Sequence, residues 1–196
     1  MIAKAELLAA IAGTNRGVIT SEANRSQVLD QVVQLEVQNP TPQPLNHRER
    51  LSGVWRLIYT TSQDLLGLAR LPMVPAGPIY QCIRGQELKL YNVLELQGLP
   101  FLEAVVCVAA RLSPMSERRV QVHFERSIFG LKGLMNYPSL DTLISRLETQ
   151  SPVAALNVPL NTERSAGWLE TTYLDEDLRI GRGNNDSLFV LTKVTI

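Results

Sequence analysis

The sequence predicts a mainly β fold: about eight antiparallel strands forming a barrel, with an N-terminal helical appendage and one inserted helix. Two observations carry this reading. The hydrophobic pattern changes from helical to strand-like spacing after a proline-punctuated stretch at Pro40, Pro42 and Pro44. Alternating segments then follow one another with short links, which favours an antiparallel meander over a βαβ sheet. Such strands can close into a ring without edges, just wide enough for one small ligand. A two-sheet sandwich shares the pattern. The chain divides into an appendage over 1–40, a linker over 41–50 and the barrel domain over 51–196.

Leu7, Leu8 and Ile11 share one face of a short first helix, which Gly13 ends. Thr20 or Ser21 caps a second helix with Val28, Val32 and Leu35 on one stripe, and Asn39-Pro40 stops it. The candidate strands are Gly53–Thr61, Ile79–Arg84, Glu87–Gln97, Leu102–Leu112, Arg118–Ile128, Gly167–Leu174, Leu178–Arg182 and Leu188–Val194. Turn signals stand at Arg84-Gly85, Gly98-Leu99-Pro100, Ser113-Pro114 and Asn184-Asn185-Asp186. Ser139 caps the inserted helix, where Leu140, Leu143, Ile144 and Leu147 follow helical spacing.

Composition narrows the function classes. Nineteen Lys and Arg balance nineteen Asp and Glu, which argues against a general nucleic-acid binder, because displacing counterions from phosphates needs surplus cations. The longest strictly apolar run, Ala104 to Ala110, is far short of the roughly 18–20 residues that cross a bilayer. The opening MIAKAELLAAIAG holds one Lys and the interrupting Glu6, unlike a secretory signal, and lacks the Arg- and Ser-rich look of a transit peptide. With Cys82 and Cys107 the only cysteines, neither a disulfide framework nor a Cys-rich zinc site is expected. These features point to a soluble protein of a reducing compartment.

Catalytic signatures are scarce: the chain holds no G-x-S-x-G, H-E-x-x-H or P-loop. His47 and His123 stand alone, and His123 alternates onto the outer face of its strand. Gly181-Arg182-Gly183 begins like a dinucleotide fingerprint but leads into a strand. Asp175-Glu176-Asp177 reads either as oxygen ligands for a divalent cation or as a hairpin tip, and Arg179 where a ligand should sit favours the tip. No cofactor is expected.

The barrel interior is more informative. Trp55, Leu57 and Tyr59 alternate on one strand; Leu88, Leu90, Asn92, Leu94 and Leu96 on another; Val120, Val122 and Phe124 on a third. Arg126 falls on the apolar face of that third strand. Its cation would then meet a ligand's polar head or an internal partner, unless the strand ends or bulges there. Candidate ligand-binding residues are Trp55, Tyr59, Tyr80, Leu90, Asn92, Phe124 and Arg126. Two connecting segments are apolar for loops: 64–78, with Leu65, Leu66, Leu68 and Met73, and 128–137, with Phe129, Leu131, Leu134 and Met135. They suit a lid over the barrel mouth, a membrane contact or ordinary core packing.

The strings GVWRLIYTT from Gly53, GPIYQ from Gly77, GWLETTYLDEDLRIGRGN from Gly167 and SLFVL from Ser187 resemble the plastid-lipid-associated protein (fibrillin) family. The resemblance covers roughly Leu51 to the C-terminus. It implies a lipocalin-like barrel in which Gly53-x-Trp55 closes one end beneath an arginine, with Arg179 and Arg182 as candidates. The inserted helix and the lack of disulfides depart from lipocalins. The resemblance further implies a non-enzymatic carrier or organiser of apolar isoprenoid lipids, such as quinones or carotenoids. Its partners would be a prenyl lipid and a thylakoid or lipid-droplet (plastoglobule) surface, and the alternative is a scaffold for a prenylquinone-pathway enzyme. Location would be cytoplasmic or peripheral to the thylakoid in a photosynthetic prokaryote, or the plastid stroma for a mature plastid chain.

Overall fold

The computed structural model describes residues 2–63, 65, 76–97, 103–149, 154–161 and 166–194. Two helices open the chain, α1 (Ile2–Ile11) and α2 (Glu22–Val37). The Ser21 hydroxyl accepts from the Asn24 amide, supplying the cap that α2 needs. A 3-10 turn (Pro44–Asn46) and the short α3 (Arg48–Leu51) lead into β1 (Gly53–Thr60).

The strands that follow are β2 (Ala76–Arg84), β3 (Lys89–Leu96), β4 (Ala104–Pro114), β5 (Arg119–Leu131), β6 (Leu156–Pro159), β7 (Ala166–Leu174), β8 (Leu178–Gly183) and β9 (Ser187–Lys193). Their pairing runs β4-β3-β2-β1-β9-β8-β7-β5, and the β4–β5 pair closes the ring. Every neighbouring pair is antiparallel. This is the expected eight-stranded antiparallel barrel. β6, which sequence reading did not anticipate, pairs with the second half of β5 outside the ring. The fifth strand is also longer than expected, so residues 128–131 of the apolar connecting segment belong to β5.

Two more helices sit between β5 and β6: α4 (Lys132–Met135) and α5 (Leu140–Glu148). Ser139 caps α5 as predicted, its Oγ accepting from the Thr142 amide.

Alternation sorts the apolar side chains into three bodies. Trp55, Leu57, Ile83, Leu90, Val122, Leu174 and Leu191 face inward and fill the barrel. Leu7, Ile11, Val28, Val32 and Leu35 of the first helices pack on Tyr59, Ile180, Leu188 and Val190 of the outer wall. Leu8 points away from this contact and is partly exposed, although the spacing grouped it with Leu7 and Ile11. On the opposite side Leu143, Ile144 and Leu147 of α5 cover Cys82, Tyr91, Val93, Val105 and Cys107.

Polar contacts fix the helices to the wall. Arg182 of β8 grips Glu36 of α2 through two hydrogen bonds of 2.8 and 2.9 Å. Asn39 donates to the Thr172 carbonyl and accepts from the Leu174 amide.

Candidate functional site

The barrel is filled at one end and hollow at the other. β1, β3, β5 and β8 run from the filled end to the open one, and their antiparallel neighbours return. At the filled end Trp55 is fully buried, and its Nε1 donates to the Leu51 carbonyl at 2.8 Å. The Arg179 guanidinium lies 5.4 Å and Lys193 Nζ 5.2 Å from the indole centroid. A cation over an indole contributes ~0.5–2 kcal/mol, more when desolvated. Gly53 has φ +130, and an added Cβ would lie 3.0 Å from Lys193 Cε, so glycine is what admits the lysine stem here. Gly53, Trp55 and Arg179 therefore meet. Arg182 does not join them, because three residues along a strand put it on the outer face, against Glu36.

Beyond Trp55 the packing thins. Gly181 and Gly183 occupy alternate positions on the same face of β8 as Arg179 and contribute no side chains. A cavity of about 550 Å³ opens here, lined by Leu90, Asn92, Val108, Val122, Phe124, Leu169 and Phe189, with Gln81, Ser127 and Ser187 as polar members. Leu65, Thr61, Ser62, Leu160, Asn184 and Asn185 lie toward its mouth. The volume falls in the ~300–1,000 Å³ range of small-molecule sites, and the lining is predominantly apolar.

Of the predicted cup residues, Leu90, Asn92 and Phe124 line this cavity, and Trp55 forms the packed end beneath it. Three others lie outside. A bulge between Leu57 and Tyr59 inserts one residue against β9, turning Tyr59 onto the wall that α1 and α2 cover. Tyr80 alternates with the inward Ile79 and Gln81 and packs outward, near the α5 cluster. The third is Arg126. Ala109 pairs with Arg126 and Ala110 with Phe124, leaving Glu125 as the extra residue of a bulge. The bulge sends Arg126 outward, where Nη2 donates to the Leu147 carbonyl of α5 at 3.0 Å, and turns Ser127 in. Of the predicted lid residues, Leu65 packs against the barrel interior; Leu66, Leu68 and Met73 lie outside the described residues.

The acidic turn joins β7 to β8. Asp175 accepts from Lys4, from the Tyr173 hydroxyl at 2.8 Å, and from the amides of Asp177 and Leu178 at 3.0 and 2.7 Å. Burial alone would raise this carboxyl; the hydrogen bonds outweigh it and hold it down at about 2. The turn thus anchors α1 through Lys4. Burial pushes both cysteine thiols up to about 12.

The PAP_fibrillin family model matches residues 1–192. The chain belongs to this family. Plastoglobulin-1 of Pisum sativum is 34% identical over 97% of this chain and 60% of its own length. A chromoplast-specific carotenoid-associated protein of Cucumis sativus is 32% identical over 97% of this chain and 67% of its own length. Probable plastid-lipid-associated protein 2 of Arabidopsis thaliana is 30% identical, over 97% and 70%. The chain spans about two thirds of the length of these curated relatives. No solved structure gives a significant match.

In this PAP_fibrillin chain, sequence reasoning missed several cavity residues. Gln81 shares its strand face with Ile79 and Ile83, and Phe189 shares its face with Leu191, so period two could have placed both inside. Ser127 carries no such signal, since only the bulge at Glu125 turns it inward.

Proposed function

We propose that this PAP_fibrillin protein binds apolar isoprenoid lipids non-enzymatically and carries or organises them at a plastid-type membrane or lipid droplet. The observation that carries the reading is the apolar cavity of about 550 Å³, packed shut beneath by Trp55 and, among the described residues, open at its other end. Relatives named for carotenoids, plastid lipids and plastoglobules support the ligand class and the location. A drug-sized cup encloses the head and first part of a long prenyl chain, and the remainder leaves through the mouth. Quinones and carotenoids are the expected cargo, at the thylakoid or plastoglobule surface.

Lipid extraction and mass spectrometry of the purified protein test this. A stoichiometric prenyl lipid supports the reading, and a protein that stays empty when offered prenyl lipids in detergent overturns it. An empty protein would favour a scaffold for a prenylquinone-pathway enzyme, docked on α2, where Val33 and Val37 are exposed on the face turned from the barrel.

A further inference from the structure

A chain of polar side chains crosses the otherwise apolar interior. It starts at Arg179, which is 1% exposed and has no acidic partner among the described residues. Its Nη2 donates to Gln81 Oε1, and its Nε has no partner. Gln81 Nε2 in turn donates to Asn92 Oδ1 at 3.1 Å. Gln81 and Asn92 both line the cavity.

The polarity of this chain follows from its first member. A guanidinium offers donors only, so Gln81 must turn its carbonyl toward Arg179. The Gln81 amide is then left for Asn92, which can receive it only with its own carbonyl. Asn92 Nδ2, with two N–H donors, therefore ends the chain and is bonded to no described side chain or backbone group. The orientation of both amides is thus dictated by Arg179 rather than free to invert. A fully buried cation also polarises the chain, strengthening the donor at its end.

We propose that the cavity reads the head of its ligand as a hydrogen-bond acceptor: it takes a carbonyl-headed apolar molecule, carbonyl inward, with Asn92 as the donor. Gln81 and Arg179 are positioning residues that set which way Asn92 faces. The inference rests on the cavity being a lipid site and adds the chemistry of the head. Hydrocarbons of the same shape bind without this contact. A hydroxyl head accepts from Asn92 through its oxygen but leaves its own O–H without an acceptor there, so it binds less well than a carbonyl.

The experiment uses full-length protein loaded with the hydrocarbon dye diphenylhexatriene and displaced by three probes of one chain length: geranylbenzoquinone, its quinol and geranylbenzene. The quinone should compete about tenfold better than geranylbenzene, the equivalent of one hydrogen bond. Asn92→Leu should bring the two within twofold. Gln81→Glu supplies Arg179 with a carboxylate and removes the donor to Asn92. Asn92 then turns its amide to Glu and its carbonyl to the cavity, so the preference should shift from quinone to quinol. A merely structural role for Gln81 would move all three probes together.

A protein that takes up none of the dye or probes would sink the lipid-site reading itself. Uptake with equal affinity for quinone and geranylbenzene would overturn the headgroup inference alone. A Gln81→Glu protein with the wild-type order of probes would overturn the positioning role. Should Asn92→Leu fail to fold, the wild-type probe series and Gln81→Glu still decide.

Discussion

Trp55 shows how one side chain can determine an end of the molecule. Its ring is fully buried, tied by Nε1 to Leu51, and flanked by two cations, so its loss removes packing and strands Arg179 without its aromatic face. Trp55→Ala should lower stability by about 3–5 kcal/mol, as other large-to-small core changes do. A urea midpoint equal to that of the native chain would refute this. The buried cysteines give a second residue-scale expectation. With thiols pushed up to about 12 by burial, the reactive thiolate is scarce at pH 8. Cys82 and Cys107 should resist a maleimide in the folded protein, and both should react in denaturant; rapid labelling of the native chain would contradict the packing under α5. Alternation placed Trp55 on the inner face of its strand, and the part of Gly53-x-Trp55 in closing the barrel was legible only through the family resemblance. Their meeting with Lys193 was not legible, since no local signal pairs the first strand with the last.

At the scale of elements, period two found every strand of the ring and failed where a strand slips. The bulges at Ile58 and Glu125 each flip the residues beyond them, and a bulge leaves no mark in a hydrophobic pattern read without its partner strand. That is why Tyr59 and Arg126 were expected inside and stand outside. β6 was illegible for another reason: all four residues are exposed, so neither face is selected for burial. Arg126→Met should therefore leave probe affinity unchanged and reduce stability by roughly 1 kcal/mol, the value of its bond to the end of α5. A loss of probe affinity would place the arginine in the cavity after all. The docking of α1 yields a pH prediction. The Asp175 carboxyl is depressed in the folded chain to about 2, so its contribution is complete above the ordinary carboxylate range near ~4 and is lost as pH falls toward 2. Asp175→Asn should be less stable than wild type at neutral pH, and the gap in urea midpoint should close between pH ~4 and 2. A gap independent of pH would remove Lys4–Asp175 from the account of how α1 is held.

The whole molecule places its open cup and an apolar surface at the same end. β5 runs toward the mouth and finishes at Leu131, and the chain returns through β6 to Leu160 on the cavity lining. Phe129 and Leu156 are register partners across that pair, 42% and 66% exposed, and Leu134 of α4 is 66% exposed. Exposed apolar side chains of this kind, with Phe129 and Leu156 adjacent, suit contact with a lipid surface, which would also give a ligand of the proposed class a dry route in and out. The formal charge of zero leaves little long-range attraction to anionic headgroups, so burial of apolar area must drive the contact. The triple change Phe129→Ser, Leu134→Ser, Leu156→Ser touches the surface rather than the core, and the melting temperature should fall by only a few degrees. Flotation with phosphatidylcholine vesicles should drop several-fold in that protein. For the native chain, flotation should be nearly the same at low salt and at high salt, where screening removes electrostatic contacts between exposed charges. Vesicle binding that vanished in high salt would overturn apolar burial as its driving force, and binding that survived the triple change intact would overturn the role of these three side chains.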